Sequence, residues 1–224
     1  MKKESNGVST FLTVVLIIYT IFINKFVYLA PNLSVSIGLF IYPLTFLIPI
    51  IICNKQSPTD AKKAVLSSAF YLVIFYLIVT ILSSVSGIVE STHITEALRT
   101  IFTPNSFMFG NTIIYYPHLF VFALLIVYII TRYILISVYE VLNHYTHTIF
   151  AFAVSLFIAF ILDTILSVPL SNSAAIYFGD LGFIDVIKAL TANFIIMVFT
   201  SLILIFIYPL SIKKKNKKRF KKLF

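Results

Sequence analysis

The sequence predicts an all-α polytopic membrane protein with six transmembrane helices and both termini inside (N-in/C-in). Three observations lead there. Hydrophobic residues make up 60% of the 224 positions and charged residues 11%, against ~25% charged in a soluble domain. The apolar residues fall in long blocks, each near the ~20 that a helix needs to cross ~30 Å of hydrocarbon. The basic residues gather at alternate ends of those blocks, as the positive-inside rule requires.

Hydropathy places the spans at 9–29, 34–53, 65–88, 111–131, 149–170 and 184–211. Lys2 and Lys3 precede the apolar run from Phe11 to Leu29. No small-residue cleavage site follows it, so a retained first helix is expected rather than a signal peptide. Pro31 disfavours helix at Ala30, so "APN" at 30–32 reads as a turn between the first two spans. In "NKQSPTDAKK", 54–63, Pro58 and Asp60 signal a polar turn and the start of the third helix. "ESTHITEALRTIFTPNS", 90–106, is the longest connection, with room for a short surface helix.

Orientation follows from Lys and Arg in the short loops. The segments expected inside hold Lys2 and Lys3, then Lys55, Lys62 and Lys63, then eight charges in the tail. Arg132 is read as a cytoplasmic anchor at the inner end of span four, and the external connections hold only Arg99. Residues 1–212 form a single transmembrane domain on this reading, and 213–224 form a basic cytoplasmic tail. The net charge of +9 is concentrated in that tail, "KKKNKKRFKKLF". A basic run directly after an apolar helix reads as an anchor beside anionic lipid, so nucleic acid is not the expected partner. Fourteen Lys against three Arg, with many Ile, Phe, Tyr and Asn, suits a bacterial protein of the cytoplasmic (inner) membrane. The six glycines make no GxxxG pair, so self-association stays open but has no glycine seam behind it.

The chemistry-bearing residues are few. Cys53 is the only cysteine, which excludes an intramolecular disulfide. His144 and His147 are one turn apart, but nothing clusters with them except Glu140, so no metal site is expected. There is no phosphate-binding loop, nucleophile elbow or zinc signature, so neither a catalytic residue nor a cofactor is expected. One residue stands out against this background. Asp163 lies within "LFIAFILDTILSVPL", where a carboxylate at mid-helix costs roughly 2.5–3.5 kcal/mol on insertion scales. It shares a helical face with Ser155, Ala159 and Ser167, spaced four apart, while Phe157, Ile158, Ile161, Leu162 and Ile165 occupy the other sides. Asp163 is therefore expected to face the bundle.

At 1.5 Å per residue Asp163 lies about 10 Å below the external end of its span, with Lys25 and Lys188 each about 6 Å below theirs. Asn24 adjoins Lys25, Asn193 follows Lys188 by five residues, and Tyr42 before Pro43 enters the same layer. Two readings follow. Either these groups line a polar pocket, or the lysines reach for the outer headgroups and Asp163 is paired structurally. Prolines 43, 49, 117 and 169 interrupt or end spans, a device that transporters use at binding sites.

"IYPLTFLI", 41–48, resembles a second-span signature of the vitamin uptake transporter family, whose members include importers of queuosine precursors. "FILDTIL", 160–166, resembles that family's Asp-Thr helix, and "IKALTANFIIMVFTSLILIFIYPLSI" its final span. The family's acids after the second-span motif are replaced here by Pro49, Ile50 and Asn54, so the chain looks like a divergent member. The resemblance implies import of a small planar solute of the 7-deazaguanine type. Pro43, Thr45, Asp163 and Thr164 match its motifs, with Lys25 and Lys188 less closely matched. The expected substrate-binding set is thus Asp163, Thr164, Lys25, Asn24, Tyr42, Thr45, Lys188 and Asn193. A non-transporting membrane scaffold is the alternative, with an enzyme acting on lipid a third class.

Overall fold

The computed structural model describes residues 2–22, 26–30, 33–84, 106–109, 112–115, 117–171 and 183–220. Its helices are α1 (Lys2–Phe22), α2 (Gly38–Ile41), α3 (Leu44–Lys55), α4 (Pro58–Ser84), α5 (Pro117–Tyr145), α6 (Thr148–Ser171) and α7 (Phe183–Phe220). Two antiparallel hairpins accompany them, β1 (Phe26–Ala30) with β2 (Leu33–Ser36), and β3 (Ser106–Phe109) with β4 (Thr112–Tyr115).

Among the described residues, three helices are long and apolar enough to cross a membrane, over Pro58–Ile78, Leu124–Tyr145 and Thr148–Ser167. Shorter apolar helices run over Gly7–Phe22, Leu44–Lys55 and Phe194–Pro209. The distribution of side chains is that of a membrane protein. On α4 the buried face is mostly small, with Ala61, Ala64, Ser68 and Ala69, whereas Leu66, Phe70, Tyr71, Leu77 and Ile78 are exposed. A soluble helix would reverse this. Small residues allow close helix approach, and the large apolar ones meet lipid tails. On α7, Met197, Thr200, Ser201, Leu204 and Tyr208 face inward at helical spacing, while Phe199, Leu202 and Phe206 face out.

The short helix α3 lies at the centre, touching α1, α4, α5 and α7. Thr45, Phe46, Leu47, Ile48, Pro49, Ile50 and Ile52 are all buried. Such a helix needs no polar face, because it is apolar on every side and surrounded by neighbours. Helices α5 and α6 form a tight antiparallel hairpin, in which Thr146 N donates to Leu142 O at 2.8 Å and Ala151 N to His147 O at 2.9 Å. Between α3 and α4 the chain turns on Ser57, whose Oγ accepts from Asp60 N at 3.1 Å and donates to Asp60 Oδ2 at 2.7 Å. With Pro58 at the first helical position, this is an N-cap that satisfies an otherwise orphaned backbone donor.

The structure corrects two spans. The first helix ends at Phe22 rather than near Leu29, and 26–36 is a hairpin. Ala30 pairs with Leu33, and Pro31 and Asn32 of the expected interhelical turn lie outside the described residues. The run "FVYLA" is aromatic and β-branched, which suits a strand as well as an apolar helix end. The fourth span, expected at 111–131, begins in strand β4, and its helix continues to Tyr145. Arg132 therefore lies well inside the helix instead of closing it. The expected surface helix within 90–106 lies almost wholly outside the described residues.

Candidate functional site

The site is built where α3, α5 and α6 meet. On α5 the inward stripe is Leu124, Tyr128, Thr131, Leu135 and Tyr139, with Arg132 beside it, all buried. On α6 it is Ser155, Ala159 and Asp163, again buried, with Thr164 adjoining. The sequence stripe placed Asp163 inward, and that face packs on the bundle.

Arg132 Nη1 donates to Asp163 Oδ1 at 2.7 Å, and the two side chains are 0% and 1% exposed. Tyr42 OH donates to the same oxygen at 2.7 Å. Thr131 Oγ1 lies 3.1 Å from it and accepts from Arg132 Nη1 at 2.7 Å. The Thr131 hydroxyl also lies 2.7 Å from Val127 O, so its single hydrogen is shared between a carbonyl and the carboxylate. Arg132 Nη2 donates to Thr45 Oγ1, which itself donates to Tyr42 O at 2.6 Å.

Aromatic rings enclose the guanidinium. Its central carbon is 3.4 Å from the Phe46 ring centroid, 4.6 Å from Tyr42 and 5.0 Å from Tyr128. Guanidinium is planar and weakly hydrated, so ring faces replace water better for it than for an ammonium. Phe46 in turn meets Phe160 edge-on at 4.3 Å, and Tyr19 of α1 lies 4.3 Å from Tyr42. Ser68 and Tyr128 share a 2.7 Å hydrogen bond that fastens α4 to this layer.

The cluster is unequally satisfied. Asp163 Oδ1 has three hydrogen-bonding neighbours, whereas Asp163 Oδ2, Thr164 Oγ1 and Arg132 Nε are buried with no partner among the described residues. A buried polar atom without a partner costs about 1–3 kcal/mol, and more when charged. Such atoms call for an explanation.

A second polar layer lies about 10 Å further along α5. Tyr139 OH donates to Asn54 Oδ1 at 2.8 Å, and Asn54 Nδ2 donates to Tyr208 OH at 2.7 Å. Tyr208 OH lies 2.7 Å from Tyr139 OH, and its donation there closes a ring in which each group gives and receives. This ring ties α3, α5 and α7 together.

Of the residues expected from sequence, Asp163, Thr164, Tyr42 and Thr45 come together in the buried cluster. Lys188 is on the exposed side of α7. Lys25 and Asn24, and the side chain of Asn193, lie outside the described residues. The described counter-ion of Asp163 is Arg132, not a lysine. Sequence reading missed Arg132, Thr131, Phe46 and Tyr128. The missed signal for Arg132 was that apolar sequence continues on both sides of it, through "LLIVYIITRYILISVY". His144 and His147 are exposed at the α5–α6 turn, and the described residues contain no cluster of metal-ligating side chains. An outward apolar groove of about 530 Å³ between α4 and α5, lined by Leu66, Phe70, Tyr71 and Leu125 among others, contains none of the clustered residues.

No protein family matches this chain, and comparison with characterised proteins and with solved structures finds no match either.

Proposed function

We propose that this chain is a membrane transporter that imports a small planar solute across the bacterial cytoplasmic membrane. Six apolar helices, N-in and C-in, would carry it: the three long ones together with Gly7–Phe22, Leu44–Lys55 and Phe194–Pro209. The observation that carries the reading is the half-satisfied charged cluster among those helices. An intramembrane ionisable group that faces the bundle is by default the first candidate for a functional site, because insertion penalises it. Here Asp163 Oδ2, Thr164 Oγ1 and Arg132 Nε hold unused hydrogen-bonding capacity beside the tilted ring pair of Tyr19 and Tyr42. The substrate class, a queuosine precursor of the 7-deazaguanine type, is what the resemblance of the short motifs around Tyr42–Thr45 and Asp163–Thr164 implies. The basic tail binds anionic lipid on the inner face in this picture, and no catalytic step is assigned.

The test is uptake of labelled queuine by a salvage-dependent bacterial host that lacks its own transporter. Accumulation that requires Asp163 supports the reading, and its absence at normal expression rejects it.

A second reading, a non-transporting scaffold or assembly subunit, is favoured by one observation. Arg132 and Asp163 are both fully buried, as a purely structural pair would be. Accessibility separates the two. Cys53 is the only cysteine, so Cys53→Ser with Thr164→Cys gives a single reporter thiol in the cluster. A transporter that opens exposes it to a water-soluble thiol reagent, and a scaffold keeps it protected.

A further inference from the structure

The outward groove of about 530 Å³ lies between two helices of membrane-crossing length. Leu66, Ser67, Phe70 and Tyr71 of α4 form one wall, and Leu125 and Ile129 of α5 the other. Ala69 also lines it, and its single methyl leaves a depression at the seam that a larger side chain would fill. Along the exposed stripe of α4 the polarity falls in steps. Lys63 comes first, Ser67 follows one turn on, and then come Phe70, Tyr71 and Ile74, all exposed at helical spacing. At 1.5 Å per residue, Ser67 is about 6 Å beyond Lys63, and Phe70 and Tyr71 about 10–12 Å. A phospholipid carries its groups in the same order: phosphate, ester carbonyls, hydrocarbon. Among the described residues Lys63 makes no ion pair. The carboxylate nearest to it in sequence, Asp60, is held at the cap, where Oδ2 accepts from Ser57 Oγ at 2.7 Å. Helical side chains lean toward the N-terminus of their helix, so Lys63 reaches away from the groove toward the headgroup layer.

We propose that this groove binds an anionic phospholipid. One acyl chain lies between α4 and α5, an ester carbonyl accepts from Ser67 Oγ, and the phosphate meets the Lys63 ammonium. The charge on the rim decides between occupants. A helix of a second copy covers the apolar walls but brings nothing for Lys63, whereas a lipid answers both. A zwitterionic headgroup carries its own cation, which competes with Lys63 for the phosphate, so the anionic class is preferred. The inference needs only that α4 and α5 cross the bilayer, and it is independent of any transported solute.

The chain contains no tryptophan, so one introduced residue reports alone. Tyr71→Trp places that reporter in the groove. Phe199→Trp places it on the outward face of α7, the helix that leads into the basic tail. The full chain is reconstituted in mixed vesicles of dioleoylphosphatidylcholine and dioleoylphosphatidylglycerol, with bromine on the acyl chains of one lipid or the other. Brominated chains quench tryptophan on contact. At Tyr71→Trp, phosphatidylglycerol should bind about five-fold more strongly than phosphatidylcholine, the effect of one lysine beside anionic lipid. At Phe199→Trp the two lipids should quench alike, and Lys63→Gln added to Tyr71→Trp should abolish the preference. If Tyr71→Trp does not fold, Leu66→Trp reports from the same wall. Equal quenching by the two lipids in the groove overturns the inference, as does a preference that survives Lys63→Gln. The same preference at Phe199→Trp also overturns it, because general attraction to the tail then accounts for the result. Quenching by neither lipid overturns it too, and gives the groove to a protein contact.

Discussion

Arg132 Nη1 lies 2.7 Å from Asp163 Oδ1 in a site from which both side chains exclude solvent. A buried ion pair offsets its desolvation only while both partners are present, and removal of one leaves an uncompensated charge. Asp163→Asn should therefore destabilise the fold by about 3–5 kcal/mol. Arg132→Met combined with Asp163→Leu should recover most of that loss, because apolar replacement of a whole pair is often neutral or better. Thermal unfolding in detergent measures both. In the proposed transporter the double variant regains stability but not uptake. A pair that is only structural would allow both to return.

Tyr42→Phe keeps the ring but removes one donor to Asp163 Oδ1. Hydrogen bonds to charged groups are worth about 1.5–3 kcal/mol, and Arg132 still holds this oxygen, so a loss near the lower end is expected. Unfolding midpoints that match those of the unaltered chain would place Tyr42 outside the network.

Three of the six expected spans overlap helices long and apolar enough to cross a membrane, and the inward face of Asp163 was legible too. Both rest on strong local signals: long apolar blocks, and one carboxylate on a stripe of small residues. The partner of Asp163 was not legible from charge placement alone. Arg132 and Asp163 are 31 positions apart, joined by an αα-hairpin whose register no local pattern specifies. A rule that reads an arginine as the end of a span fails when a second buried charge neutralises it, since the helix can then continue past it. The hairpin at 26–36 was missed because a short apolar run cannot distinguish strand from helix by periodicity. Thr45 and Tyr42 were marked by their motif, whereas Phe46 gains its role from the guanidinium 3.4 Å away.

The Asn54–Tyr139–Tyr208 ring should behave as one unit. Tyr208→Phe removes a donor and an acceptor, and hydrogen bonds inside membrane proteins measure about 0.6–1.7 kcal/mol each. Tyr139→Phe should cost a similar amount. The two together should cost clearly less than their sum, because either change already opens the ring. Strict additivity of unfolding free energies in a double-mutant cycle would mean that the three groups do not cooperate.

Ser57 caps α4 outside the apolar region, so its effect is separable from the core. Ser57→Ala should lose about 1 kcal/mol, the usual value of an N-cap side chain. Ser57→Asp should restore much of it, because a carboxylate also accepts from the first-turn N–H and favours the helix N-terminus. Equal stability of the alanine and aspartate variants would show that this cap contributes nothing.

Topology supplies the last prediction, and the structure changes how it is argued. With Arg132 buried against Asp163, it no longer counts as a cytoplasmic anchor. Orientation then rests on Lys2 and Lys3, on Lys55, Lys62 and Lys63 around the α3–α4 turn, and on the eight basic residues of the tail, against Arg99 opposite. The bias keeps its sign, so N-in remains the orientation proposed. Reporter fusions after residues 60, 145 and 224 should read cytoplasm, and fusions after 32, 98 and 176 should read exterior. The position after 32 is the most informative. If only the three long helices cross, residues 32 and 60 lie on the same side, because the first of them begins at Pro58. If α1 and α3 also cross, those two positions lie on opposite sides. Cytoplasmic signal from both would reject six spans, and with them the placement of the Arg132–Asp163 cluster inside a six-helix transporter.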